Sequence, residues 1–223
     1  MKKSSLKKYL PTILIVLVIL IVVGFVVRAL VSPDSQPAQT QTKGKVDITA
    51  LKNGGSVGDP NSKVVITEFG DYQCPSCGLW HPYIKDTIIP QYSNKVLFVF
   101  KNYPLKMHKN AQAAAQAVES ASLQGKFWEM HNMVYDHQAD WSNSNDPNSV
   151  FEKYASQIGL NVDTWKKDRE SDKVRNLIKN DVAIGDQLGL PGTPSFLING
   201  VLQQPKSFED FKNAIDQAIS QSQ

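Results

Sequence analysis

Three regimes of apolar and polar patterning follow one another along this chain, and each predicts a different kind of structure. The first is a run from Leu10 to Val27, 18 residues without a charge and mostly Ile, Leu and Val. It approaches the roughly 20 residues that span bilayer hydrocarbon and exceeds the roughly 7–15 of a signal-peptide core. Arg28 adds one charge that can snorkel before Ala29, Leu30 and Val31 continue, so the expected anchor covers residues 10–31. No small-x-small cleavage pattern follows the run; a cleaved signal peptide is the competing reading. The second regime, residues 32–56, is polar and rich in Pro, Gln, Thr and Gly. It reads as a flexible linker, with at most a short pairing segment around Val46–Leu51.

The third regime, residues 57–223, carries the mixed periodicities of a folded domain. Val64–Phe69 reads as a strand, and Cys74 to about Ile89 as a helix that Pro82 should kink. Lys95–Lys101 is apolar through its middle, which predicts a strand buried on both faces. Helical patterns then dominate: Asn110–Leu123 is alanine-rich, Phe127–His137 amphipathic, and Asp140–Asn148 a polar loop. Val150–Ile158, Val162–Arg169 and Ser171–Leu188 follow, the last with Val174, Leu177, Ile178, Val182 and Ile184 at helical spacing. Pro191-Gly192-Thr193-Pro194 breaks the pattern. Ser195–Ile198 and Val201–Gln203 flank Asn199-Gly200, a hairpin signal. Ser207-Phe208-Glu209-Asp210 forms a capping box for a last helix, with Phe208, Phe211, Ile215 and Ile219 expected inward. Strand, helix, strand, helical block, hairpin and helix make an α/β domain without internal repeats.

Charge sharpens the first regime and removes one class of function. The chain carries 24 basic and 21 acidic residues, net +3. Lys2, Lys3, Lys7, Lys8 and Arg28 supply five of the basic ones and residues 1–28 hold no acid, so the remainder stands at 19 against 21. The basic balance belongs to the N-terminus, and no face suited to nucleic acid is indicated. Four lysines in residues 1–9 outweigh the single arginine after the apolar run, which keeps that end in the cytoplasm. The expectation is a single-pass protein of the cell membrane with its domain outside.

Cys74 and Cys77 are the only two cysteines. Outside the cytoplasm disulfides persist, but a Cys-x-x-Cys bridge closes too small a loop to stabilise a fold much. Reactivity explains the pair better. Cys74 falls at the capping position of the predicted helix and Pro75 at its first residue, where a missing N–H costs nothing. Unpaired N–H groups and the positive helix end favour the Cys74 thiolate. Cys77, one turn further in, can attack a mixed disulfide formed at Cys74. With His81 the cysteines supply three ligands, one short of a structural zinc site; a copper- or zinc-binding module using these three is the competing class.

Glu68-Phe69 before Cys74-Pro75-Ser76-Cys77, the helical stretch Asn110–Ala114 through Gln124–His131, and Gly192-Thr193-Pro194-Ser195-Phe196 before a terminal helix together resemble the DsbA-like branch of the thioredoxin superfamily. The likeness covers about residues 57–220, with a helical insertion at about 108–189. It implies a thioredoxin-like fold and a redox disulfide between Cys74 and Cys77 in a protein disulfide oxidoreductase that needs no cofactor and no metal. It also implies protein substrates with thiols or disulfides and a DsbB-like or VKOR-like membrane thiol oxidase as partner. A disulfide isomerase or reductase of the same fold is the alternative. By the same resemblance Pro194 is cis and packs against the cysteines, Thr193 offers backbone to an extended substrate, and Pro75 and Ser76 border that substrate.

Glu68 sits six residues before Cys74, where related oxidoreductases carry a buried acid. Strand alternation puts it on one face with Val64 and Ile66. Buried there, its pKa would rise and it could pass protons to and from Cys77; the alternative is a solvent-facing glutamate at a strand end. His81 is expected on the exposed side of its helix and His108 at the start of the insertion, both in structural or neutral roles. Ser76 stands where the strongly oxidising relative carries histidine, so the pair lacks an adjacent cation and should be a weaker oxidant.

Overall fold

The computed structural model describes residues 48–222. The basic N-terminus, the anchor expected at 10–31 and linker residues 32–47 lie outside the described residues. Among the described residues no helix is long and apolar enough to cross a membrane.

A five-stranded sheet in the order β1-β3-β2-β4-β5 forms the centre. Strands β2 (Val65–Gly70) and β3 (Leu97–Asn102) run parallel side by side, and every residue of both is buried. Two adjacent, wholly buried strands account for their near-continuous apolar sequence. Strand β4 (Ser195–Ile198) pairs antiparallel with β2, and β5 (Val201–Gln203) with β4. Asn199 and Gly200 both take positive φ, 49° and 80°, the pair of values that a tight two-residue hairpin demands.

The linker is shorter than its composition implies. Helix α1 (Ile48–Lys52) lies within the stretch read as tether and strand β1 (Gly55–Gly58) overlaps its end, and β1 pairs antiparallel with β3. The folded part therefore includes residues 48–56. Gly54 and Gly55 are packing residues here as much as punctuation: a Cβ on Gly55 would lie 2.0 Å from the Phe127 ring. Leu51 is buried beneath the sheet with Phe69 and Leu197.

Helix α2 (Pro75–Tyr83) follows β2 and passes through a π-helical turn (Ile84–Ile88) into α3 (Ile89–Tyr92). The irregularity expected at Pro82 thus takes the form of a π turn just beyond it. A wider turn is one way to absorb the missing N–H and the ring bulk of a mid-helix proline.

Six helices fill the space between β3 and β4: α4 (Ala111–Ser122), α5 (Phe127–Asp136), α6 (Gln138–Trp141), α7 (Pro147–Gln157), α8 (Val162–Arg169) and α9 (Asp172–Leu188). Ser171 caps α9 through Val174 N–H, and Gly189 closes it in the left-handed conformation. The expected polar loop at 140–148 is interrupted, because Trp141 is fully buried and donates its indole N–H to Val134 O at 2.8 Å. Helix α10 (Phe208–Ser222) buries Phe211 and Ile215, while Phe208 stays 38% exposed against Trp80 and Tyr83. Leu177 on α9 is likewise exposed rather than inward.

Candidate active site

The cysteine pair sits where β2 hands over to α2. Cys74 has extended backbone (φ −69°, ψ 123°), caps α2, and precedes Pro75. Its N–H donates to Asp71 O at 3.0 Å, which draws the chain into a turn before the helix. Both cysteines are free thiols. They differ in exposure, 7% for Cys74 against 0% for Cys77.

Their chemistry diverges further. The S–H of Cys77, contact with Thr193 and the backbone N–H groups of Cys77 and Ser76 pull the Cys74 thiol down to about 5, although burial opposes them. Burial pushes the Cys77 thiol well above its usual value, and the neighbouring Cys74 and Glu68 push it the same way. Asp71 N–H donates to Cys77 Sγ at 3.5 Å, a weaker effect in the opposite direction. The first cysteine is therefore a thiolate near neutrality, and the second a thiol. No cation between them is needed for this split; backbone donors at the helix end and the second thiol achieve it.

Across from the pair, the Thr193–Pro194 peptide bond is cis. Cys74 Sγ lies 3.4 Å from Thr193 O, and the Thr193 hydroxyl is buried with no other partner. A groove of about 310 Å³, whose lining includes Ser76, Trp80, Thr193, Pro194, Phe196 and Leu202, opens beside this contact. A larger cavity of about 580 Å³, between Ile198 and Ala218, involves none of these residues.

Glu68 is 4% exposed and faces the interior. Burial, and after it the charge of Cys74, raises its carboxyl to about 8. A carboxyl held neutral near pH 7 can both release and recover a proton there.

His81 departs from expectation. His81 is buried, 5% exposed: its Nε2 lies 3.2 Å from Asp136 Oδ1 and its ring stacks on Tyr135. Desolvation lowers its pKa. His81 looks outward in the sequence because α2 is short; helix α5 covers that side. Among the described residues no group of three or more His, Cys, Asp or Glu is placed to hold a metal ion, so Cys74, Cys77 and His81 form no such set. His108 lies between β3 and α4, at the start of the insertion as expected, and its Nδ1 lies 2.6 Å from the buried Asp71 Oδ2.

Several supporting residues escaped the sequence reading. The Asp71 carboxylate accepts from Gln73 N–H at 2.8 Å and from Leu105 N–H at 2.8 Å, tying the turn before Cys74 to the loop after β3. From the insertion, Gln138 Nε2 donates to Tyr72 O at 2.7 Å and Cys74 O at 3.0 Å. A Cβ on Gly78 would lie 2.7 Å from Gln138 Oε1, so a side chain there would displace this brace. Tyr72 Oη is 2.9 Å from His131 Nδ1, and Tyr135 packs against the Tyr72 ring. Asp71 and Tyr72 abut the Cys-x-x-Cys pair and could have been found by that proximity; Tyr135, His131 and Gln138 had no local signal.

A family model described as Thioredoxin matches residues 51–217. The chain belongs to this family. A "Probable disulfide bond formation protein D" of Bacillus anthracis is 27% identical over 227 residues, covering 97% of this chain and 99% of that protein. The "Na(+)/H(+) antiporter NhaA 1" of Mycobacterium sp. (strain KMS) is 34% identical over 148 residues, 64% of this chain; the chain spans 23% of that antiporter's length. The crystal structure of BdbD from Bacillus subtilis superposes with a TM-score of 0.66 at 22% identity, covering 81% of this chain and 98% of that one. The thioredoxin-like fold expected from the resemblance is thereby established for the domain.

Proposed function

We propose that this thioredoxin-family chain is a membrane-anchored thiol–disulfide oxidoreductase that forms disulfides in secreted or membrane proteins outside the cytoplasm. The observation that carries the reading is the split between a Cys74 thiol lowered to about 5 and a buried Cys77 raised above its usual value. In the oxidised enzyme a substrate thiolate attacks Cys74 Sγ and the Cys74–Cys77 bond breaks, with Cys77 leaving as thiolate. A second substrate thiolate then attacks the substrate sulfur of the mixed disulfide, and Cys74 leaves with the electrons. A low pKa at Cys74 makes it the better leaving sulfur in that last step, which favours oxidation of the substrate.

Glu68 takes the role of proton acceptor and donor for Cys77. Thr193 and Pro194 border the bound substrate, whose backbone pairs with Thr193, and Pro75 and Ser76 form the facing wall. The anchor at residues 10–31 holds the domain at the outer membrane surface, where a DsbB-like or VKOR-like thiol oxidase returns the pair to the disulfide. Full-length similarity to the B. anthracis protein supports this assignment.

The test is a trapping experiment in the native cell. Cys77→Ser should accumulate covalent complexes that vanish on reduction, because a mixed disulfide at Cys74 then has no internal route to breakdown. Cys74→Ser should accumulate none. Identical behaviour of the two variants would overturn the reading.

A further inference from the structure

Tyr135 is the one buried phenol at the floor of the cysteine site whose hydroxyl has nothing to bond to. The residue is 5% exposed and its Oη has no hydrogen-bond partner. Leaving a buried donor unpaired carries a cost that folded proteins rarely accept without a use for the group. Its ring is clamped on three sides, by Tyr72 at 4.7 Å, His81 at 4.8 Å and His131 at 5.1 Å between centroids. The hydroxyl is therefore aimed, and its direction is fixed by Gly70: a Cβ at that position would lie 3.0 Å from Tyr135 Oη. Cys77 Sγ approaches the adjoining peptide, 3.5 Å from Asp71 N. Phenol oxygen and resolving sulfur thus lie against the same Gly70–Asp71 corner of the chain, inside one packed cluster.

We propose that the Tyr135 hydroxyl is a hydrogen-bond donor reserved for the Cys77 sulfur when that sulfur carries negative charge. The inference rests on the exchange reading above and names a residue that sets the rate of one step in it. When a substrate thiolate opens the Cys74–Cys77 disulfide, Cys77 departs as a thiolate into a site with no cation. In the reverse step, Cys77 must lose its proton, to Glu68 in its ionised form, and attack Cys74 Sγ, breaking the mixed disulfide and releasing the bound partner as its thiolate. In either direction the developing charge sits beside an O–H that makes no other bond, and no reorganisation is needed to meet it. Burial keeps the phenol protonated, so it is a donor throughout the working pH range. The ionisable neighbours are Glu68, Asp71, Tyr72 and Cys74 from β2 and the start of α2, His81 on α2 and His131 on α5; none is a lysine or arginine.

The role separates from packing because Tyr135→Phe keeps the ring and removes only the oxygen. Reduced protein mixed with oxidised glutathione forms an adduct at Cys74, which Cys77 then resolves to the intramolecular disulfide with release of glutathione. Acid-quenched mass spectrometry over a pH series measures both steps. Adduct formation should be unchanged in Tyr135→Phe, while resolution slows about tenfold, as expected for one lost bond to a charged acceptor, and its pH profile moves upward. Incorporating 3-fluorotyrosine at position 135 makes a stronger donor and should shorten the adduct's life relative to wild type. Equal lifetimes and profiles in all three proteins would overturn the inference while leaving the exchange reading intact. Absence of any adduct in wild-type protein would instead sink the exchange reading itself.

Discussion

The core buries carboxyl groups both beside the cysteines and beyond β3, and only beyond β3 does a lysine meet them. At the junction of β3 with α4 and α9, Lys101 Nζ is 2.9 Å from Asp181 Oδ1, Asn102 N–H donates to Asp181 Oδ2 at 3.0 Å, and Asn102 Nδ2 donates to Glu119 Oε1 at 2.7 Å. Burial still raises Asp181 and lifts Glu119 to about 7, but Lys101 and Asn102 work against it at both. On the neighbouring strand β2, at the floor of the cysteine site, Glu68 has no counter-charge and burial lifts it to about 8. A paired buried charge holds the insertion onto the sheet; an unpaired buried acid holds a proton at the pH where thiols exchange. Compensation goes with the pair that fastens the insertion, and its omission with the acid proposed to carry protons.

The comparison fails most conspicuously if the cysteines do not differ. Alkylation of reduced protein at pH 6–7 should modify Cys74 at least about a hundredfold faster than Cys77, since thiolate is the nucleophile and their pKa values move in opposite directions. Peptide mapping reads the ratio; equal rates would remove the basis for separate roles.

Glu68→Gln tests the uncompensated acid through stability. The folded-state pKa of about 8 exceeds the usual 4.5, so the folded protein keeps a proton that the unfolded chain gives up. Stability is unaffected below pH 4.5 and falls as pH rises through the window to 8. At about 1.36 kcal/mol per unit the loss is on the order of 4–5 kcal/mol. Cys74, lowered to about 5, gains stability as pH rises in reduced protein, and Glu119, raised to about 7, loses it, so the difference between the two proteins is what isolates Glu68. Urea titrations of reduced protein should show Glu68→Gln gaining on wild type as pH rises from 4.5 to 8. Parallel pH profiles in both would place the titration elsewhere.

Lys101→Met should behave in the contrasting way. It strands Asp181 in the core and should cost about 3 kcal/mol at neutral pH. Adding Asp181→Leu should recover much of that loss without changing exchange kinetics. If Lys101→Met alone leaves stability untouched, the pair contributes nothing and the contrast between the two sites dissolves.

The smallest effect concerns the residue between the cysteines. Ser76→His brings a cation to the Cys74 thiolate and should make the pair more oxidising by about 30 mV, equivalent to roughly 1.4 kcal/mol for a two-electron couple. Because backbone N–H groups and Cys77 already lower Cys74 to about 5, the increment should not greatly exceed that. An unchanged potential against glutathione would mean those donors saturate the effect.

Legibility in the sequence followed the range of the interactions. Cys74 as helix cap, Pro75 at the first turn, the Asn199-Gly200 hairpin and the Ser171 cap are set by neighbours a few residues apart, and all were readable. Glu68's inward face came from strand alternation, and its burial agrees. His81 did not follow, because an isolated helix gives no hint that α5 will lie across it. The tether misled for a related reason: Gly54 and Gly55 look like flexible punctuation until the Phe100 carbonyl is seen against the first and Phe127, more than seventy positions on, against the second.

The sequence by itself determined the order of elements, the cysteine pair with its helix-end geometry, and through family resemblance the partnership with Thr193-Pro194. Those properties rest on local propensity and on spacing, which survive in one dimension. Only the tertiary structure decided that Cys77 is sealed from solvent, that Glu68 lacks a counter-charge while Asp181 has one, and that the Tyr135 hydroxyl is buried without a partner. Desolvation depends on everything packed around a group at once. The chemistry of this site is therefore set by segments that share no sequence neighbourhood with the cysteines they tune.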